Sequence, residues 1–210
     1  MLDVGCGIGG SSIYLTKNLD AKITGITISS IQVDMAQENA LKEKLDVDFQ
    51  LMDAENMNLS REFNVIWSIE ALSHLNDQKK FFENASKLLL DNGKLAIIDW
   101  FRKENLSEKD EEKYIEPIKQ GMLTPNMKTM ADYKLYMEAA GMQVRVFEDI
   151  SKNVSKTWDL CLDIIKNPTL WKLALFHGKE FVDFMKAFQA MRNGFASGAF
   201  VYGLIVAEKK

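Results

Sequence analysis

Glu70 and His74 stand four residues apart in Trp67-Ser-Ile-Glu-Ala-Leu-Ser-His74, a spacing that puts both side chains on one face if the segment turns helical. An imidazole exchanges its proton near neutral pH, so His74 can take one from a phenol or hydroxyl nucleophile. A capping or surface histidine fits the same residues. Asp99 follows the apolar run Lys94-Leu-Ala-Ile-Ile98 and could orient that imidazole or take the proton itself. His177, among helical aromatics, reads as packing.

A second concentration of chemistry opens the chain. Met1-Leu-Asp-Val-Gly-Cys-Gly-Ile-Gly-Gly10 sets glycines at 5, 7 and 9 between an apolar stub (Leu2, Val4) and a helical opening that begins at Ser11. Such glycines let the backbone take angles closed to other residues and let a ligand approach the main chain. The helix that follows points unpaired N–H groups and the positive end of its dipole at whatever sits above the turn. Gly5, Gly7 and Gly10 also satisfy the dinucleotide pattern G-x-G-x-x-G. Asp3 tilts the choice away from that ligand. A carboxylate beside the turn is poorly placed for an anionic pyrophosphate and suits a ligand that carries an ammonium and a sulfonium, as S-adenosyl-L-methionine does.

These residues need elements to hold them, and the chain alternates strands with helices. Lys22-Ile-Thr-Gly-Ile-Thr27, Val47-Asp-Phe-Gln-Leu51 and Phe63-Asn-Val-Ile-Trp67 read as strands. Between them Ile31, Met35, Ala36 and Ala40 recur at helical spacing. Asn76 is positioned to cap a helix whose Phe81, Phe82, Ala85, Leu88 and Leu89 form one apolar stripe. Asp91-Asn-Gly93 ends that helix in a turn, and the run to Ile98 is a strand covered on both faces. Strand–helix alternation predicts βαβ units and a parallel sheet whose strand C-termini share one ligand-binding edge.

The second half is less regular. Residues 104–126 are charged and mixed, and are expected to form a loop-and-helix lid. Thr129 to Asp132 is a capping-box pattern opening a helix that Gly141 closes. Met142 to Val146 alternates as a strand, residues 153–192 read as helical, and Phe200 to Ala207 is a last apolar strand. Phe181, Phe184, Met185 and Phe188 share a stripe; with Trp158, Trp171 and Phe176 they are expected to be mostly core, the remainder lining an apolar substrate pocket.

Composition bounds the classes. A chain of 210 residues suits one well-filled α/β domain spanning 1–210. Hydrophobic residues at 47% and charged residues at 27% are ordinary for a soluble globular protein. A net charge of −4 with no Lys/Arg cluster argues against nucleic acid as a partner. The two cysteines, Cys6 and Cys161, give neither a disulfide framework nor a zinc spacing, so no metal is expected and a reducing cytoplasm is the default. No stretch approaches the ~18 apolar residues of a membrane span, so no stable membrane insertion is expected. Oligomeric state leaves no signature in the sequence.

Leu2-Asp-Val-Gly-Cys-Gly-Ile-Gly-Gly10 resembles motif I of the class I S-adenosylmethionine-dependent methyltransferases. The resemblance implies a Rossmann-like, seven-stranded, mostly parallel sheet flanked by helices, and S-adenosyl-L-methionine as cofactor, held by Asp3, Gly5, Gly7 and Gly9. The family's ribose-binding acid at the end of the second strand is Thr27 here. Gly25-Ile-Thr-Ile-Ser29 followed by Gln32 resembles instead the tocopherol methyltransferases and their sterol and sugar relatives, which implies that Thr27, Ile28 and Gln32 take the carboxylate's place. Asp53 and Ala54 match the adenine-reading position, and Ser68 the backbone carbonyl that meets the cofactor's ammonium. The sugar enzymes suggest a His and an Asp where His74 and Asp99 stand. Residues 191–209 look like the closing segment of the tocopherol group, which makes a prenylated quinol the leading small-molecule acceptor, with a sterol, a sugar or an alkaloid nitrogen open. Enzymes with this motif carry cofactor-covering helices ahead of it, whereas this chain starts on the strand, so a truncated chain is the expectation. A nicotinamide dehydrogenase using the same turn, or a silent cofactor-binding domain, stays open from the residues alone.

Overall fold

The computed structural model describes residues 1–210 except the side chains of residues 173–177, so the packing expected of Phe176 and His177 lies outside the described residues. The first half runs β1 (Leu2–Val4), α1 (Gly10–Leu19), β2 (Thr24–Thr27), α2 (Ser30–Lys42), β3 (Asp48–Leu51), β4 (Phe63–Ile69), α3 (Gln78–Leu88) and β5 (Leu89–Arg102). The second half adds α4 (Glu108–Asp110), a π-helical turn (Glu111–Ile115), α5 (Glu116–Met122), α6 (Met130–Ala139), β6 (Met142–Asp149), α7 (Ser151–Val154), α8 (Lys156–Ile165), α9 (Pro168–Ser197) and β7 (Phe200–Lys209).

The strands form one seven-stranded sheet in the order β3-β2-β1-β4-β5-β7-β6. β1 to β5 pair in parallel, and β7 runs antiparallel to both β5 and β6. This is the seven-stranded, mostly parallel sheet that the sequence resemblance implies. Every residue of β1 and β2 is buried, as strands covered on both faces must be. Trp100 and Phe101, adjacent on β5, belong to different apolar clusters; alternation along the strand gives it a core on each side. Burying Phe81 and Phe82 completely ties α3 to the sheet, worth roughly 1.5–3 kcal/mol for each ring. Among the described residues no helix is long and apolar enough to cross a membrane.

Three local expectations change. Asp77, not Asn76, caps α3: its carboxylate accepts from Lys80 N–H, while Asn76 N–H is drawn to Glu55 Oε1 at 2.7 Å. α3 passes directly into β5 at Leu89, and the expected turn is an irregularity inside that strand: Asn92 has φ 62°, and pairing with β4 shifts register between Leu89 and Lys94. The expected continuous helix over 153–192 is broken before Pro168 and again at Gly178, where φ is 66°. Thr129 and Asp132 do form the expected capping box.

Candidate active site

The strand order reverses between β1 and β4, so the connections leaving their C-terminal ends part and open a crevice. A cleft of about 690 Å³ occupies it. Gly5 and Gly7 come from the β1–α1 loop, Thr27 and Ile28 from the end of β2, Gln32 from the first turn of α2, Asp53 and Ala54 from the end of β3, and Glu70 and His74 from the end of β4. Every sequence-predicted site residue on these walls comes from a strand's C-terminal end or the segment that follows it.

The glycine loop is fixed to the sheet by N–H bonds from Gly5 and Cys6 to Ile26 O, at 2.9 and 3.0 Å. Gly5 has φ 76°, and a Cβ there would overlap the Ala71 methyl. Gly7 has φ 53°, and a Cβ there would meet nothing within 4 Å, so its backbone faces open cleft.

Asp3, Gly9 and Ser68 do not line this cleft. Asp3 is 3% exposed and accepts from Ser12 Oγ at 2.6 Å. Burial pushes its carboxyl up to about 6, against the pull of the Ser12 bonds. Asp3 is expected to meet the ligand's charged groups; in the structure it lies behind the cleft wall, with Oδ2 tying the loop to α1. Gly9 is the N-cap of α1, with φ 85°. Ser68 is buried and donates to Val4 O at 3.0 Å, joining β4 to β1 behind the cleft wall.

On the far wall, Thr27 Oγ1 donates to Gln32 Oε1 at 2.6 Å, which orients the Gln32 amide so that its NH₂ remains available as a donor. Ile28 is 78% exposed at the rim. The exposed Asp53 caps the turn after β3, accepting from Glu55 N–H at 2.8 Å and from the Asn56 amide at 2.5 Å.

Glu70 and His74 reach the same cleft, but not by sharing a helical face. Glu70 has φ 52°, and only residues 72–74 form a 3₁₀ turn. His74 Nδ1 lies 3.1 Å from Leu123 O; a carbonyl only accepts, so Nδ1 carries a proton, and Nε2 is the nitrogen that can exchange one. Trp100 packs against the imidazole edgewise, centroids 6.1 Å apart. Asp99 neither touches that ring nor lines the cleft, which corrects the expected pairing. It is completely buried, with Oδ2 accepting from Ser73 N–H at 2.8 Å and Oδ1 from Trp100 N–H at 2.7 Å. Burial pushes its carboxyl up to about 7 in spite of those donors. A group with no open face cannot take a substrate proton, and Asp99 instead braces the turn that carries His74.

Two residues escape a reading of the sequence. Gln78 is buried and donates to Leu75 O at 3.0 Å and Asn126 O at 3.1 Å, clamping the turn to the segment after α5. Tyr202 Oη donates to Glu70 Oε1 at 2.6 Å. Its signal was a hydroxyl inside the apolar run from Phe200 to Ala207.

Glu70 and Tyr202 also line a second cavity, of about 350 Å³, whose other walls include Trp100, Met122, Trp158 and Phe188. No Lys or Arg lies among its described lining residues. The helical segments expected as a lid thus supply packing, through Ile115 and Ile118, and a cavity wall, through Met122.

Residues 1–93 match the family described as a methyltransferase domain. Along its whole length the chain is 29% identical to the chloroplastic tocopherol O-methyltransferase of Arabidopsis thaliana, and spans 62% of that protein's length. Its fold is similar to a mycolic acid cyclopropane synthase solved with S-adenosylhomocysteine and CTAB (TM-score 0.85, 19% identity, covering 99% of this chain and 77% of that one). It is also similar to the geranyl diphosphate C-methyltransferase of Streptomyces coelicolor, solved with Mg²⁺, geranyl diphosphate and S-adenosyl-L-homocysteine (TM-score 0.79, 19% identity, covering 100% and 70%). Residues 1–93 thus match a methyltransferase-domain family, and over its full length the chain has the fold of solved S-adenosylmethionine-dependent methyltransferases.

Proposed function

We propose that the chain binds S-adenosyl-L-methionine in the cleft and transfers its methyl group to a small, apolar or amphipathic acceptor in the second cavity. The observation that carries this reading is that the two cavities share Glu70 as a wall, so a ligand in each would meet there.

The wall chemistry suits this nucleotide. The described cleft residues include the carboxylates Asp53 and Glu70 and no Lys or Arg. A pyrophosphate would find no cation, whereas an ammonium or sulfonium finds opposite charge. Gly5 and Gly7 would pass closest to the amino-acid end. Gln32, steadied by Thr27, would meet the ribose hydroxyls. Asp53 and the Ala54 N–H would read the purine edge, with Ile28 covering its face. Asp3, Gly9 and Ser68 would act from behind, by holding the loop and the two central strands in register.

A sulfonium methyl is already activated, so the nucleotide supplies the one-carbon group and the chain supplies alignment and water exclusion. His74 and Glu70 are the side chains at the cleft that can assist deprotonation of the acceptor. An apolar second cavity without a described cation favours an uncharged ring with a hydroxyl, such as a prenylated quinol, over a diphosphate of the kind bound by the Streptomyces coelicolor enzyme.

Calorimetry with S-adenosylmethionine and with NAD(H), followed by methyl transfer from labelled cofactor to quinols, sterols and amines, tests the reading. Binding of the sulfonium nucleotide and label in a quinol are expected. Heat with NAD(H) alone would make the chain a dehydrogenase, and binding without transfer would leave a silent domain.

A further inference from the structure

Glu70 stands where the two cavities meet, and its backbone is unusual. Its φ of 52° lies in the left-handed region that residues with a side chain rarely adopt. The N–H is anchored on Ile98 O at 2.8 Å. The carboxylate is held by Tyr202, 132 residues further along the chain, whose hydroxyl donates to Oε1 at 2.6 Å. Tyr202 is itself pinned: its N–H donates to Ser151 Oγ at 2.9 Å and its carbonyl accepts from Ile150 N–H at 2.8 Å. Among the described residues Glu70 Oε2 takes no hydrogen bond. His74 lines the cleft but not the second cavity, so an acceptor seated there meets Glu70.

We propose that Tyr202 is a positioning residue: its hydroxyl fixes one oxygen of the Glu70 carboxylate, leaving the other to face the second cavity as proton acceptor for a phenol or alcohol. This rests on the methyltransferase reading above. As the acceptor oxygen attacks the sulfonium methyl, its O–H bond breaks and the proton passes to Glu70 Oε2. The electron pair of the S–CH₃ bond returns to sulfur, and a methyl ether and S-adenosylhomocysteine result. Tyr202 must keep its own proton for this, and burial together with the adjacent Glu70 carboxylate pushes its phenol above the ordinary value. The other titratable groups facing Glu70 are Asp99 from β5, Cys161 from α8 and His74 from its own turn.

The test uses the whole chain, first shown by calorimetry to bind S-adenosylmethionine, with a prenylated hydroquinone as probe acceptor. In Tyr202→Phe, kcat is expected to fall about tenfold with cofactor Kd unchanged. The acid limb of its pH–rate profile moves to higher pH, because a donor that stabilises the carboxylate anion is gone. Glu70→Gln lowers kcat about 100-fold and flattens that limb. Adding Tyr202→Phe to Glu70→Gln changes the rate by less than about twofold, because the two act as one unit. A Phe variant with wild-type rate and profile, or a full tenfold loss on the Gln background, would overturn the proposal. Should the Phe variant fold poorly, Glu70→Gln carries the test, and an acid limb that survives it is equally fatal. A chain that binds cofactor yet methylates no phenol also overturns the proposal. One that binds no cofactor overturns the methyltransferase reading beneath it.

Discussion

The cleft and the second cavity share one residue and are built in opposite ways. The cleft wall comes from four strand ends and the segments after them, within residues 4–76, and those after β2 and β3 are shaped by short-range bonds such as Thr27 to Gln32 and Asp53 to Glu55. Its carboxylates are Asp53, Glu55 and Glu70, and no Lys or Arg lies among its described residues. The wall of the second cavity gathers β5, α5, α7, α8, α9 and β7, which are remote in sequence and largely aromatic at the surface they present. Trp158 stacks at tilted angles on Phe195 and Phe200, and polar atoms come from Glu70, Tyr202, Thr157, Cys161 and the indole N–H groups of Trp100 and Trp158. One wall is a set of local turns that present backbone and carboxylates; the other is a tertiary surface that sorts by shape and greasiness. Under the proposed function, cofactor and acceptor recognition are separable, the first drawn from the first half of the chain and the second mostly from the second half.

The largest effect that separates them is expected at Gly5. In Gly5→Val the side chain would overlap Ala71 at a positive φ, a strain of about 3 kcal/mol. Cofactor affinity measured by calorimetry should fall at least about 100-fold, whatever acceptor is present. A variant with normal affinity would show that the loop does not shape the cleft.

The same contrast explains how much could be read ahead of the structure. The glycine loop, Thr27, Gln32 and Asp53 are legible because their spacing along the chain is their spacing in space. The alternation of strands and helices likewise foretold a parallel sheet, and the apolar run after Phe200 its last strand. Asp3 and Asp99 were found by position, but position does not reveal burial: both carboxyls face inward and brace their neighbours. Glu70 was found for the wrong geometry, since a helical face was expected and a left-handed residue serves instead. Tyr202 was invisible because β7 is inserted antiparallel beside β5, which pairs Trp100 with Tyr202 across more than a hundred residues.

The two buried carboxyls give a second way to probe the walls. Asp3, behind the cleft, is pushed up to about 6, and Asp99, below the shared turn, up to about 7. Both hold their proton more tightly folded than unfolded. Their contribution is fully present below about pH 4 and is lost as pH rises through about 6 and 7. Denaturant titrations should show stability falling across that window, by on the order of 3 kcal/mol from Asp3 and 4 kcal/mol from Asp99. Asp99→Asn should flatten the upper part of the slope, and Asp3→Asn the lower part. A stability that climbs from pH 4 to 7 in the wild type would contradict both assignments.

Next in size is His74→Ala, which should lower turnover about tenfold and leave cofactor affinity nearly intact. An unchanged rate would remove His74 from the mechanism. The smallest effect belongs to the far side of the second cavity. Phe188→Ala should raise the acceptor KM about three- to fivefold, the loss of about 1 kcal/mol of apolar contact, while cofactor Kd and kcat hold steady. A change in cofactor Kd instead would mean that the two cavities are not separable.

The most direct test of the account is a crystal structure of the chain with S-adenosylhomocysteine and a prenylated hydroquinone. The nucleotide should lie over Gly5 and Gly7 with its purine beside Asp53, its sulfur turned to the second cavity, and the hydroquinone oxygen within hydrogen-bond distance of Glu70. Density for the nucleotide away from that loop, or a hydroquinone bound out of reach of Glu70, would contradict it.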